Sequence, residues 1–357
     1  MREAVRLSGI DGLRAVAVIG VVLFHTNVAG AELGWAGVEL FFVISGFLIT
    51  RILLDLRSNP RYLQIFYARR ALRILPVYYF VIFASVLFAV VAGNSPGSLD
   101  LPFYIVYIQN YFPQIPTGMA GGIPLTSHTW TLAVEEQFYW AWPLVVLLVG
   151  PRPLRAVVAA CVIGAPIARV AMLLASGNPY TVVATLPAQV DALGVGAALA
   201  LAERAGLAPE RVRRYAAIAT VAGAVLVSAL VLNGGGLAPF AVTHIWAASP
   251  INSLLLSGFA AMFGGIVGLT VFGGGRALQF LNWRPLVHIG RISYGLYIYN
   301  PLARLLGSLA FVVSGRTSNE SVGEILLGTA LTYVLAVLSW RYLETPFLRL
   351  RSKFESR

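Results

Sequence analysis

Charge is what this 357-residue sequence has least of. Only 11% of its residues are Asp, Glu, Lys or Arg, and 58% are hydrophobic. Soluble globular chains carry about 25% charged and 45–50% apolar residues. Mean hydropathy is +0.78. So little charge does not cover a water-facing surface, which excludes a soluble enzyme and a disordered chain. A single cysteine, Cys161, excludes a disulfide scaffold. The histidines show no metal-ligand spacing, so no metal is expected. No linker and no internal repeat is visible, and paired halves are the mark of many secondary transporters. Acidic residues are scarcer than basic ones, 15 against 26, which gives a net charge of +11 and a pI of about 10.1.

What is present is a series of long apolar runs. A membrane span needs about 20 mostly apolar residues. Ten segments qualify, at about 9–29, 36–56, 74–93, 128–150, 155–175, 181–202, 213–232, 250–272, 289–313 and 322–343. The fold class expected is all-α: a polytopic transmembrane bundle of about ten helices in a single integral-membrane domain, 1–357. The first run holds Asp11, Arg14 and His25 and has no small-residue cleavage site, so it reads as a retained helix rather than a signal peptide. Leu99–Phe112 is apolar but too short to span, and reads as re-entrant or interfacial. With the N-terminus inside, the inner loops carry 21 basic residues and the outer loops only Arg316. That bias places both termini in the cytoplasm. It also accounts for most of the positive charge without nucleic acid. His244 and His288 read as solvated, and Cys161 as a packing residue.

Ionisable groups inside spans cost about 2.5–3.5 kcal/mol each on insertion scales, so every one is a candidate for function or for an internal pair. Arg14 and His25 are 11 residues apart, three helical turns plus roughly 20°, so they share one face about 16 Å apart. Asp11 is placed to pair with Arg14. His25, near the outer end, suits proton transfer near neutral pH; the alternative is a core histidine bonded to a carbonyl. Glu39 and Glu135 lie at similar outer depth. They are positioned either to orient an imidazole or to hold helices together. Ser293, Tyr297, Asn300 and Arg304 form one polar stripe that lines a cavity or bonds neighbouring helices. Arg169 and Asp191 read as a structural pair more than as reacting groups. Arg69, Arg70 and Arg73 cluster in an inner loop. Guanidinium forks suit phosphates, although orientation alone also asks for charge there.

Several ordered motifs then point one way. They are Asp11-Gly-Leu-Arg14 with His25 eleven residues after Arg14; Gly37-Val-Glu-Leu-Phe-Phe-Val-Ile-Ser-Gly-Phe47; Phe66-Tyr-Ala-Arg-Arg-Ala-Leu-Arg-Ile-Leu-Pro76; Trp130-Thr-Leu-Ala-Val-Glu-Glu-Gln-Phe-Tyr139; Ile292-Ser-Tyr-Gly-Leu-Tyr297; and Glu344-Thr-Pro346. Together they resemble the bacterial membrane-bound acyltransferase-3 family along essentially the whole chain. The resemblance implies a ten-helix enzyme of the bacterial cytoplasmic membrane. Such an enzyme moves an acyl group, often acetyl, from acyl-CoA to a hydroxyl of a glycan, a lipid-linked sugar or a glycosylated small molecule. It makes His25 the catalytic histidine with Arg14 its partner, and adds Glu135 to the catalytic cluster; Glu39, at similar depth, is a further candidate there. It assigns Arg69, Arg70 and Arg73 to the CoA phosphates; Trp130, Tyr297, Asn300 and Arg304 are the candidates for binding the substrate. Two positions depart from the family pattern: Asn300 stands where His is common, and Gln189 stands where a basic residue often precedes the Asp. The sequence ends after the tenth span, so no extracytoplasmic esterase-like domain is expected. On this reading the CoA arm threads from the cytoplasm toward His25, which acts as general base or as acyl carrier. The competing class is a polar-lipid or small-molecule transporter with His25, Glu135 and Arg304 as a proton relay.

Overall fold

The computed structural model describes residues 2–26, 28–93, 100–112, 123–237, 249–273, 276–314, 322–351 and 354. Among the described residues the chain is helical and has no strand. The helices are α1 (Arg2–His25), α2 (Gly37–Leu56), α3 (Tyr62–Val91), α4 (Leu101–Ile105), α5 (Trp130–Leu148), α6 (Pro151–Ser176), α7 (Pro179–Ala184), α8 (Leu186–Arg204), α9 (Pro209–Asn233), α10 (Leu254–Phe272), α11 (Arg284–Arg291), α12 (Ser293–Val313), α13 (Val322–Ser339) and α14 (Thr345–Arg349). Nine stretches among the described residues are long and apolar enough to cross a membrane. This is a multi-pass membrane architecture. The tenth expected span is α5, which has 19 residues; its Glu135-Glu136-Gln137 run makes it the least apolar of the set. The contacts divide the chain into two compact units, Met1–Ser58 with Val134–Arg291, and Asn59–Ala133 with Ile292–Arg357.

In the first unit, helices meet through glycines. Between packed membrane helices there is little hydrophobic drive, so close backbone approach at small residues supplies the attraction. A Cβ on Gly12 would lie 2.1 Å from the Leu281 carbonyl oxygen, and one on Gly290 would lie 1.8 Å from that of Asp11. The Asp11-Gly12 motif is thus a crossing point where α1 is pressed against Leu281 and α11. The same holds where α2 meets α8. A Cβ on Gly46 would lie 2.0 Å from Leu193 O, and one on Gly196 would lie 2.1 Å from Val43 O.

The sixth span, expected as one continuous helix, is two. Thr185 is extended (φ −107°, ψ 148°) and separates α7 from α8. Pro187 follows in the first turn of α8, where its missing N–H is tolerated. The interruption frees carbonyls that hydrocarbon does not satisfy. Gln189 Nε2 takes up Val183 O at 2.7 Å, and the Thr185 hydroxyl donates to Thr181 O at 2.8 Å.

In the second unit, α3 carries Pro76 inside a 30-residue helix. The Tyr294 hydroxyl donates to Ile74 O at 3.0 Å beside that proline. The core joins Val77, Tyr78, Val81 and Ile82 to Tyr104, Tyr107, Ile298 and Tyr299. The short apolar stretch of the sequence forms α4 and a 3₁₀ turn at Gln109–Tyr111; its first residue, Leu99, lies outside the described residues. Tyr107 there adopts a left-handed φ of 52° and stacks on Tyr78 at 4.3 Å. After α13 the helix widens into a π turn at Trp340–Glu344, just before Pro346. The Thr345 hydroxyl adds a bond to Trp340 O at 2.6 Å. Wide turns of this kind are frequent at functional sites.

The crossings give a direct stability test. Gly196→Leu should lower the unfolding midpoint of the detergent-solubilised protein, with about 1–3 kcal/mol lost to overpacking. Gly164→Ala on α6, where a Cβ meets nothing within 4 Å, should be neutral or slightly stabilising. Equal effects of the two substitutions in thermal melts would contradict the close-crossing account.

Candidate functional site

In the first unit His25 ends α1 and is exposed, with its ring edge-on to Phe24 at 5.3 Å. Thr26 stops the helix: its hydroxyl donates to Leu23 O at 2.9 Å. The loop that follows carries Glu32, which accepts the Gly30 N–H at 3.1 Å. Its own backbone N–H and that of Gly30 hold its carboxyl below the usual carboxylate range. Arg14 is half-buried on the same helix. Asp11, expected beside Arg14, has its carboxylate 3.6 Å from Arg291 Nε of α11. That partner is distant in sequence, so helical spacing does not reveal it.

Glu39 is 1% exposed in the first turn of α2. Its side chain hydrogen-bonds Gln189 and lies in the field of Asp191 and Arg169. Arg169 is fully buried and grips Asp191 with both fork nitrogens, at 3.2 and 2.8 Å. Its Nη1 also donates to Ala188 O at 2.5 Å, and its Nη2 donates to Ser257. The Ser257 hydroxyl in turn donates to Asp191 at 2.8 Å. Arg169 and Asp191 therefore form the structural pair expected of them. Gln189, the departure from the family pattern, hydrogen-bonds the Glu39 side chain rather than meeting it with a charge. Glu135 is half-buried on α5, and Glu136 beside it is buried. In the same unit Ser45 and Tyr139 share a 2.5 Å hydrogen bond, and Trp142 Nε1 donates to the Thr50 hydroxyl at 2.8 Å. Together they tie α2 to α5.

In the second unit Arg69, Arg70 and Arg73 are half-buried on α3, with the Arg70 guanidinium 6.0 Å over the Phe66 ring. Trp130 opens α5 half-buried. Tyr297 donates to His128 O at 2.9 Å and lies 2.8 Å from the Thr131 hydroxyl. Asn300 is 4% exposed. The Arg304 stem lies against Gly328 of α13. Sequence reasoning gave His128 no role, yet it is buried and packs edge-on to Tyr297 at 5.2 Å. The signal was present as a histidine two residues before Trp130. Glu324 and Glu344 were also missed; both are buried, with Ser308 and Ser339 donating to their carboxylates. His288 is exposed, as expected, and His244 lies outside the described residues. Among the described residues no three His, Cys, Asp or Glu side chains are grouped to hold a metal.

A family model for an acyltransferase domain, acyltransferase 3, matches residues 7–341. The chain belongs to this family. Similar proteins include peptidoglycan O-acetyltransferase OatA of Listeria monocytogenes, 28% identical over 359 residues that cover 94% of this chain and 55% of the relative. O-acetyltransferase OatA of Staphylococcus aureus is 29% identical over 366 residues, 95% of this chain and 57% of the relative. The chain thus spans little more than half the length of these curated relatives. No solved structure matches it.

The buried pair offers a test independent of chemistry. Asp191→Ala leaves Arg169 charged and unpaired, and should cost about 3–5 kcal/mol of stability. The double substitution Arg169→Met with Asp191→Leu should recover much of that loss. A melt in which the double variant is less stable than Asp191→Ala would remove the pair from this role.

Proposed function

We propose that the chain is a membrane O-acyltransferase that moves an acyl group, acetyl in the first instance, from cytoplasmic acyl-CoA to a hydroxyl of a glycan acceptor. The observation that carries this reading is the family match across residues 7–341. The O-acetyltransferase names of the relatives support it. The bacterial cytoplasmic membrane, with both termini on the basic, inner side, is the location this reading assigns.

His25 acts as the general base. It takes the proton of the acceptor hydroxyl as that oxygen attacks the thioester carbonyl. The carbon–sulfur bond breaks, and the proton passes to the departing CoA thiolate. Exposure at the end of α1 leaves the imidazole open to a substrate hydroxyl. Glu135 and Glu39 supply the negative charge that stabilises imidazolium. Arg14 positions the donor, and the crossing at Gly12 fixes its helix. Arg69, Arg70 and Arg73 bind the CoA phosphates as bidentate forks. Trp130, Tyr297, Asn300 and Arg304 serve the acceptor.

A transporter or flippase of polar lipids remains the second reading. It draws on the helix break at Thr185, a feature of discontinuous transporter helices. Labelled acetyl-CoA separates the two readings, because a flippase leaves the thioester intact.

His25→Ala should reduce acetyl transfer by about 10²–10⁴-fold, the usual share of a positioned base. Wild-type turnover by the folded variant would remove His25 from the reaction. Arg70→Ala and Arg73→Ala should each raise the KM for acetyl-CoA by about tenfold, the loss of one charge-assisted contact. An unchanged donor KM would return these arginines to topology alone.

A further inference from the structure

The segment that leads into α5 is held from two sides within the second unit. From one side, Gln109 Nε2 donates to the Thr129 carbonyl at 3.3 Å and to its hydroxyl at 3.2 Å. From the other, Tyr297 bonds the His128 carbonyl and Thr131. His128 is 7% exposed between these holds, and Ser127 beside it is exposed.

Two amides of this unit, Gln109 bonded to the segment and Asn300 on the helix of Tyr297, are left incomplete. Gln109 is 1% exposed, and its Oε1 has no hydrogen-bond donor. Asn300 lies one turn beyond Tyr297 on α12, is 4% exposed, and its Nδ2 has no acceptor. Buried polar atoms without partners are rare in folded proteins, and each needs a specific reason. Here one is an acceptor and the other a donor. An anionic ligand would set like charge against the Gln109 oxygen, and a cationic one would oppose the Asn300 N–H. A neutral molecule that carries both hydroxyl donors and oxygen acceptors satisfies both. Trp130, Tyr297 and His128 add planar faces of the kind that cover the apolar C–H side of a sugar ring.

We propose that Gln109, His128, Tyr297 and Asn300 form the acceptor subsite, and that it takes an uncharged sugar. One sugar hydroxyl donates to Gln109 Oε1, and another sugar oxygen accepts from Asn300 Nδ2. The proposal rests on the acyl-transfer reading and adds the residues and the neutral ligand class to it. Asn300, where the family commonly has His, then serves as a hydrogen-bond donor to the sugar and takes no proton.

The test uses the full chain in detergent or nanodiscs, acetyl-CoA, and neutral against acidic oligosaccharides as acceptors. The neutral sugars should be the better acceptors. Asn300→Leu and Gln109→Leu should each raise the acceptor KM about three- to tenfold, as expected for one lost hydrogen bond to a neutral group. The acetyl-CoA KM should stay within about twofold on the same arithmetic. Asn300→Asp is nearly isosteric and turns the donor into an acceptor, so it should raise the acceptor KM even if the leucine variants fail to fold. Unchanged acceptor KM in folded Asn300→Asp, or preference for acidic acceptors, would overturn the subsite while acyl transfer stands. Absence of transfer and of acetyl-CoA hydrolysis by the wild type would overturn the acyl-transfer reading and the subsite with it.

Discussion

Hydrocarbon offers a backbone carbonyl nothing to bond to, so a carbonyl freed by a break in a membrane helix takes its bond from elsewhere in the protein. This constraint organises the structure. Where the sixth span breaks at Thr185, Gln189 bonds Val183 O. Two residues before Pro76, Tyr294 adds a side-chain bond to Ile74 O. At the π turn before Pro346, the Thr345 backbone N–H and hydroxyl both bond Trp340 O. Ahead of α5, Tyr297 bonds His128 O. The repairs draw on the same motifs that resemble the acyltransferase family, including Tyr294 and Tyr297 of the Ser-Tyr stretch. Those motifs are therefore structural as well as chemical. A residue such as Tyr297 serves the backbone and faces a candidate subsite at once.

Buried charge follows the same logic. The two terminal nitrogens of the Arg169 guanidinium bond Asp191, Ser257 and Ala188 O, which ties α6 to α8 and α10. Glu39 bonds the neutral Gln189 and lies in the field of both members of the pair. His25 closes α1 in the open, and the α3 arginines lie half-buried ahead of Pro76. Within the first unit, the glycine crossings at Gly12 and Gly46 bring backbones into contact and so fix α1 and α2 against their neighbours.

Much of this was legible in the sequence, because apolar length and helical period are direct consequences of the bilayer. The spans, the Arg169–Asp191 pair and the polar stripe through Ser293, Tyr297 and Asn300 all followed from composition and helical period. The break at Thr185 did not. Pro76, Pro143, Pro166 and Pro301 all lie inside helices, so Pro187 alone could not mark an interruption. The Asp11–Arg291 pair joins residues far apart in sequence, which local spacing does not address. His128 shows no metal-ligand spacing, and spacing was the one signal by which the sequence judged it. Burial and the Tyr297 contact are tertiary facts that periodicity does not carry.

The most direct measurement is the fate of a labelled acetyl group. Purified protein is incubated with acetyl-CoA labelled in the acetyl carbon and with a set of neutral glycans. Acyl transfer predicts alkali-labile label on an acceptor hydroxyl, with free CoA thiol released in equal amount. Intact acetyl-CoA and unlabelled glycan, from folded protein in a membrane-like environment, would contradict it.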